Sequence, residues 1–220
     1  KIIETNPDVY SWDKNAVINQ LGLESLTDSL PEQIPELAEL DSSEVINFTE
    51  RNFPENLKMM RKDGPLLLWY RGNLNIEKSL AVVGSRNMIE ETSYIVESFV
   101  RKASDRDYTI ISGLALGVDT KAHVCALENN AKTVAILPSS LDNILPSSNR
   151  GLAGEIVEHG GLLLSEYEPG TDDNPPNRNY LMRNRLQAGM SDAVFIAQSG
   201  IPGGTMTTCL LYTSDAADDP

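Results

Sequence analysis

Cysteine and histidine are scarce in this sequence, which contains two of each among 220 residues. Cys125 and Cys209 are far apart and belong to no metal-ligand spacing, so we expect neither a disulfide framework nor a metal site. This cysteine usage fits a reduced, cytoplasmic setting. No apolar run approaches the length that spans a membrane, and we expect no membrane contact.

Basic residues are also few, since 18 Lys and Arg stand against 32 Asp and Glu and the formal net charge is -14. The acidic total excludes a protein coated in basic surface and at first sight counts against nucleic acid. Local charge matters more than the total, however, and one short segment, residues 177–185, contains three arginines.

Two common nucleotide-binding motifs are missing. A dinucleotide site needs G-x-G-x-x-G after the first strand and an acidic residue about twenty positions later, whereas the turn here is Gly84-Ser85-Arg86-Asn87. The Walker pattern is absent too. Cofactor-dependent redox chemistry and P-loop ATP hydrolysis are therefore disfavoured, and we expect no cofactor.

From Leu80 onward, strand-like and helix-like segments alternate, which predicts an α/β fold with a doubly wound, mostly parallel sheet. Predicted strands cover residues 66–72, 80–83, 108–111, 133–137, 161–164 and 193–197, and predicted helices lie near 90–104, 119–130, 150–159 and 180–189. Because ligands bind outside the carboxyl ends of parallel strands, we expect the turns after these strands to meet at one edge of the sheet.

Residues 1–50 carry apolar side chains at helix-like spacings that are interrupted by Pro31 and Pro35. This pattern predicts two or three short helices in a small acidic N-terminal domain. Residues 51–208 then form the α/β domain.

Two turns between a predicted strand and a predicted helix are rich in small residues. The first is Gly84-Ser85-Arg86, and the second is the glycine loop, residues 112–119, with the sequence SGLALGVD. Backbone N–H groups at a helix start lack intrahelical partners and attract anions, phosphate above all. Since the turns are about thirty residues apart, as in a βαβ unit, we expect them together to bind more than one phosphate.

Arginine occurs once in the first of these turns, as Arg86, and is concentrated in residues 177–185. Arg86 suits bidentate phosphate binding, although pairing with the glutamates four and five residues later is the alternative. Residues 177–185 pack three arginines and three asparagines into nine positions. Arg183 and Arg185 cannot share a helix face, so we expect one to reach the edge of the sheet while the other anchors a neighbouring loop.

Two further pairs of residues have alternative interpretations. Asp119 and His123 lie on one helix face and make a catalytic acid–base pair conceivable, but we favour structural roles for both, with Asp119 as helix N-cap. We expect no catalytic residue. Trp69 and Tyr70 suit core and edge packing, which we favour, or contact with a flat ligand such as a base.

Short motifs spaced along residues 50–208 resemble the DNA-processing protein A family, also called Smf. Their common order along the chain is far more specific than any single motif. The motifs include residues 53–57 (FPENL), 70–72 (YRG), 82–86 (VVGSR), 112–119 (SGLALGVD), 164–166 (LSE) and 183–185 (RNR).

The resemblance implies an extended Rossmann domain that binds single-stranded DNA without sequence preference and loads the RecA recombinase onto it in recombination and natural transformation. It also implies a homodimer, a SAM-like N-terminal domain and no enzymatic activity. Carried over by motif, the DNA-binding residues are Gly84, Ser85, Arg86, Ser112, Gly113, Ala115, Gly117, Asn149, Arg183, Asn184, Arg185, Gly204 and Thr205.

The sequence departs from the family pattern near residue 147 and in the last turn. Many members carry a lysine after the proline at 146, whereas this chain has Ser147-Ser148, so that one phosphate contact is lost or passes to Arg150. The family's Ser-Gly-Ser appears as Gly203-Gly204-Thr205, a conservative change in size.

Residues 209–220 fit no element of the family and resemble one reading frame of a transposase-based sequencing adapter. We expect them to be a library artefact on a truncated gene whose natural continuation includes the last strand of the sheet and, in many members, a winged-helix domain. The lysine at position 1 likewise indicates a fragment boundary.

A second interpretation is an enzyme of the related nucleotide-binding type, similar to the LOG nucleoside monophosphate phosphoribohydrolases. That family continues a Pro-Gly-Gly turn as P-G-G-x-G-T-x-x-E, and its glutamate is needed for glycosidic cleavage. Residues 202–208 read PGGTMTT, without the second glycine position or the acid, which disfavours the enzyme.

Overall fold

Seven strands form one sheet in the computed structural model of the chain, which describes residues 44–60, 63–170 and 177–200. The strands are β1 (Glu44–Asn47), β2 (Leu67–Gly72), β3 (Ser79–Gly84), β4 (Thr109–Ser112), β5 (Thr133–Ile136), β6 (Leu162–Ser165) and β7 (Ala193–Gln198). The helices are α1 (Glu55–Met59), α2 (Glu90–Ser104), α3 (Val118–Glu128), α4 (Arg150–Glu158), which follows a 3-10 turn at Ser147–Asn149, and α5 (Asn177–Gly189).

The sheet has the order β1-β2-β6-β5-β4-β3-β7. Strands β6, β5, β4, β3 and β7 run parallel, and β2 and β1 extend the sheet in antiparallel pairing. The predicted α/β fold with a mostly parallel, doubly wound sheet is therefore confirmed. The chain steps from β3 to β6 in one direction and then returns to place β7 on the other side of β3, so the topological switch lies at β3.

The three central strands β4, β5 and β6 are buried along their whole length, as expected of short apolar runs covered on both faces. Helix α2 covers one face with buried Val96 and Val100, while Leu186 of α5 packs in a core cluster with Ile111 and Leu164. Among the described residues, no helix has the length and apolarity to cross a membrane.

Residues 44–47 correct the sequence analysis, which assigned the chain up to residue 50 to the helical N-terminal domain. They form strand β1, paired with β2 from Glu44 opposite Tyr70 to Asn47 opposite Leu67. Because the strand is only four residues long, its alternation of side chains is too short to be distinguished in the sequence from the helix-like spacing that precedes it. The other N-terminal predictions fall on residues 1–43, outside the described residues.

Replacing Ile111 by Ala tests the central core, because its side chain is fully buried in β4. The cavity left behind is expected to lower the free energy of unfolding by about 3 kcal/mol, measured by urea denaturation. Leu66→Ala is the control, since Leu66 is 65% exposed, and its effect is expected within about 0.5 kcal/mol. Equal losses in both variants would contradict this packing.

Candidate functional site

The turn after β3 and the glycine loop after β4 lie against each other at the carboxyl edge of the sheet. Val118 N–H donates a hydrogen bond of 3.2 Å to the Ser85 carbonyl. Gly117 has φ +77°, and a Cβ there would lie 2.4 Å from the Ser85 oxygen and 2.5 Å from the Arg86 oxygen. Only glycine satisfies both conditions, so this residue permits the close approach of the two turns.

Asp119 organises the first half of the glycine loop from within. Its carboxylate is buried and accepts the Gly113 N–H at 3.2 Å, and the Ala115 N–H also binds it. Burial raises the pKa of Asp119, and the Arg183 guanidinium and these donors oppose the rise. The N-cap position of α3 belongs to Gly117, so the expectation that Asp119 caps the helix was wrong.

The sequence analysis assigned the amides of Gly113 and Ala115 to phosphate, but both already donate to the Asp119 carboxylate. The amides of Leu116 and Gly117, immediately before α3, have no acceptor among the residues that the structure describes. Fewer amides of residues 112–119 are thus available to an anion than the sequence predicted, and the last turn of the loop supplies two of them.

Arg183 lies beneath the glycine loop rather than at the surface. It is 5% exposed, and its Nη1 donates to the carbonyls of Gly113 and Ile136, both at 2.7 Å. Burial lowers the pKa of Arg183, with Asp119 opposing. A Cβ at Gly113 would lie 1.7 Å from Nη1. This position corrects the expectation that Arg183 lines an exposed groove, because the side chain supports the loop from inside.

Ser112 and Asn149, also predicted to bind DNA, are buried and hold the same loop. The Ser112 hydroxyl donates to the Val82 carbonyl at 2.7 Å, which ties β4 to β3. Asn149 Nδ2 donates to the Leu114 carbonyl at 2.8 Å and to Thr120 Oγ1 at 2.9 Å. These residues shape the loop, and neither side chain faces solvent.

Arg185 and Asn184 are both engaged within the protein. Arg185 pairs with Glu166, which follows β6, at 2.6 Å, and both side chains are largely buried. Asn184 accepts a 3.2 Å hydrogen bond from Arg183 Nε. Arg183 thus reaches the carboxyl ends of β4 and β5 while Arg185 anchors the segment after β6, which is the division of roles expected of this pair, although the burial of Arg183 was not expected.

Arg86 is the predicted cation that reaches the surface. It is exposed, and its Cζ lies 5.1 Å from the centroid of the Tyr180 ring in α5, a cation–π contact. Within the described ranges no carboxylate lies at ion-pair distance from it, so the alternative pairing with glutamates at 90 and 91 is not seen. Sequence reasoning missed Tyr180, although its place in the arginine-rich segment was a usable signal.

His123 is fully buried and is not placed for catalysis. Thr133 Oγ1 donates to the Ile110 carbonyl at 2.7 Å, so His123 Nδ1 must donate to Thr133 Oγ1, also at 2.7 Å. Nε2 has no hydrogen-bond partner in the described part of the chain. Burial, with a smaller contribution from Arg183, lowers the pKa of His123 to about 3, and the ring is neutral at pH 7.

A cleft of about 770 Å³ lies at the opposite edge of the sheet and contains none of the predicted site residues. Its lining includes Ser79 at the start of β3, Asp192 before β7, and Tyr70, whose hydroxyl binds Glu44. Burial and that carboxylate raise the pKa of Tyr70 to about 12.

Trp69, the neighbour of Tyr70 in β2, is 9% exposed and packs in the core. Gly204 and Thr205 lie outside the described residues.

Comparison with known proteins identifies the family. The profile of DNA recombination-mediator protein A matches residues 44–215, a range that includes the first seven residues of the segment 209–220. The chain belongs to this family. It is 38% identical to DNA processing protein DprA of Streptococcus pneumoniae over 149 residues, which are 67% of this chain and 51% of that protein.

Other members of the DNA recombination-mediator protein A family are similarly close. Protein Smf of Borreliella burgdorferi is 35% identical over 163 residues, 73% of this chain and 51% of that protein. The crystal structure of DNA processing protein A from Streptococcus pneumoniae superposes with a TM-score of 0.74 at 33% identity, covering 81% of this chain and 62% of the other. The present family member thus spans about half the length of its curated relatives.

DNA processing protein A from Helicobacter pylori, whose structure gives insight into its single-stranded DNA binding mode, superposes with a TM-score of 0.70 at 31% identity. The match covers 79% of this chain and 77% of that one. These two solved members of the family therefore share the Rossmann-like fold of this chain.

Arg183→Met tests the buried support of the loop in this family member. The change leaves the Gly113 and Ile136 carbonyls without their donor and Asp119 without its nearby cation, so the free energy of unfolding is expected to fall by about 3 kcal/mol. Urea denaturation measures the loss. Arg178→Met, at an exposed position of the same helix, is the control, and a comparable loss there would contradict the assignment.

His123→Asn tests the neutral buried imidazole through pH. The folded pKa of about 3 lies below the unfolded value of about 6.5, so only the unfolded state gains a proton below pH 6.5 and stability falls as the pH drops towards 3. The variant is less stable at pH 7, but that deficit is expected to shrink by about 2 kcal/mol at pH 5. A deficit of the same size at pH 7 and at pH 5 would contradict the neutral buried imidazole.

Proposed function

We propose that this chain binds single-stranded DNA along its sugar-phosphate backbone, without sequence preference, at the carboxyl edge of the sheet beside β3. The observation that carries the proposal is Arg86, an exposed guanidinium held on the Tyr180 ring at the point where the two turns meet. A guanidinium in a cation–π contact uses its face and keeps its N–H groups for a phosphate.

Several hydrogen-bonding groups at this edge remain available to a ligand. The carbonyls of Gly113, Leu114 and Ala115 already accept hydrogen bonds, from Arg183, Asn149 and Thr120 respectively. The amides of Leu116 and Gly117 have no acceptor among the described residues, and the Arg86 side chain is exposed. These N–H donors suit phosphate oxygens, whereas base edges present donors and acceptors in different patterns.

The neighbouring 3-10 turn at Ser147–Asn149 supports the same placement. Asn149 binds the glycine loop directly, and Ser147, Ser148 and Arg150 are exposed on either side of it. Arg150 therefore takes the place of the lysine that many members of the family carry at this turn. The relative from Helicobacter pylori, with its single-stranded DNA binding mode, supports the choice of ligand.

The wider role is proposed from the family. As a DNA recombination mediator, the protein containing this chain acts by binding rather than catalysis, loads RecA onto single-stranded DNA in the cytoplasm during recombination and natural transformation, and works as a homodimer. A RecA filament-assembly assay on oligo-dT tests loading, and analytical ultracentrifugation tests the dimer. Incubation of the protein with AMP tests for phosphoribohydrolase activity, and release of free adenine would contradict a role in binding alone.

Arg86→Ala tests the interface. Loss of one phosphate contact is expected to weaken oligo-dT binding about tenfold and to make the log-log salt slope shallower by about one contact, measured by fluorescence anisotropy from low to moderate salt. The fold is expected to be unchanged, because Arg86 is exposed.

The matched control is Arg101→Ala, which removes the same charge from the last turn of α2, at the far end of that helix from the glycine loop. Its expected effect on affinity is less than twofold. Equal weakening by both variants would mean that the acidic chain responds to total charge, and unchanged binding in Arg86→Ala would remove the interface from this edge.

A further inference from the structure

Strand β7 contains a bulge where it reaches the turn after β3. The pairing of the two strands advances one residue at a time as far as Val83, and then one residue of β7 is passed over, so that Gly84 lies opposite Gln198. Bulges of this kind re-aim a side chain near the end of a strand. Here the bulge brings Gln198, the last residue of β7, beside residues 85–89, which connect β3 to α2.

Gln198 binds this turn with three of its groups. Its backbone carbonyl accepts the Ser85 N–H at 2.9 Å. Its side-chain amide donates from Nε2 to the Asn87 carbonyl at 3.1 Å and accepts the Ile89 N–H on Oε1, also at 3.1 Å. Because a backbone N–H can only donate and a carbonyl can only accept, these partners fix the orientation of the amide. Arg86 therefore lies in a segment that one residue of the neighbouring strand binds on both sides of it.

We propose that Gln198 is a positioning residue, which fixes the turn after β3 so that Arg86 is presented to the DNA backbone in one orientation. The inference rests on the proposed binding of single-stranded DNA and adds to it a residue that acts through Arg86. Within the described ranges, two side chains bind the backbone of residues 85–89, those of Ser85 and Gln198, and Ser85 belongs to the turn itself.

The turn gains from this support because its own sequence supplies little. Ile89 is the N-cap residue of α2 and has no side chain that could cap the helix. The glycine loop contacts the first part of the turn, where Gly117 approaches the carbonyls of Ser85 and Arg86. Gln198 also binds the part that follows Arg86. A turn that is held before and after the arginine leaves less conformational entropy to be lost when a phosphate binds.

A double-mutant cycle between Gln198→Met and Arg86→Ala tests the inference, with affinity for oligo-dT measured by fluorescence anisotropy at fixed salt. Methionine has nearly the length of glutamine but cannot replace the two hydrogen bonds of the amide. Gln198→Met alone is expected to weaken binding about fivefold, within the cost known for ordering one side chain. In the Arg86→Ala background the same change is expected to alter the affinity less than about 1.5-fold, because the residue that it positions is absent.

Ser199→Ala is the matched control, because Ser199 follows Gln198 and its hydroxyl donates to the Gly200 carbonyl instead of to the turn. Its affinity is expected to equal that of the unmodified chain. Both side chains are half-buried, so both variants are expected to fold. Hydrogen exchange at the Ile89 amide, followed by NMR, is a second measurement. Exchange is expected to be faster in Gln198→Met, which removes the acceptor, and unchanged in Ser199→Ala.

Three results would overturn the inference. Unchanged binding in Gln198→Met, with binding still weakened in Arg86→Ala, would leave the proposed function intact and show that the turn needs no support from β7. An equal loss on adding Gln198→Met to either background would mean that Gln198 acts independently of Arg86. Unchanged binding in Arg86→Ala would overturn the proposed function and this inference together, so the failure of each is distinguishable.

Discussion

Gly113 is held from both sides by buried groups of opposite charge, and the candidate site depends on that arrangement. Its N–H donates to Asp119 and its carbonyl accepts from Arg183. Either charge alone would be costly to bury, but each is compensated here by backbone dipoles and by the other. A side chain at position 113 would displace the guanidinium. The conformation of the loop is therefore fixed by the interior of the protein before any ligand arrives.

Helix α5 connects this buried support of the glycine loop to the exposed Arg86. Tyr180 and Arg183 lie three residues apart in α5, hence on one side of the helix, so one residue binds the loop from beneath while the other carries Arg86. The loop in turn packs on the backbone of the β3 turn through Gly117. Three segments distant in sequence thus position one another, and a shift in any of them would move the exposed cation.

The sequence predicted the sheet well because its strands are short apolar runs, and it predicted that the two turns meet because parallel strands bring their carboxyl ends to one edge. It could not predict which arginines face solvent. Arg183 looks like a surface residue by composition, and its burial depends on carbonyls contributed by β4 and β5. Asp119 likewise looks like a helix cap, and only the fold of the loop shows that its carboxylate points back to Gly113.

The proposed binding of a polyanion by a chain with a formal charge of -14 is consistent with this rigidity. A flexible arginine loses about 2 kcal/mol of side-chain entropy when it is ordered, and a mobile loop loses more. Here the loop is already ordered by its buried hydrogen bonds, and Arg86 is already seated on a ring. Less of the attraction to a phosphate is then spent on ordering the protein. A small preorganised set of donors can therefore bind a polyanion where the total charge opposes it.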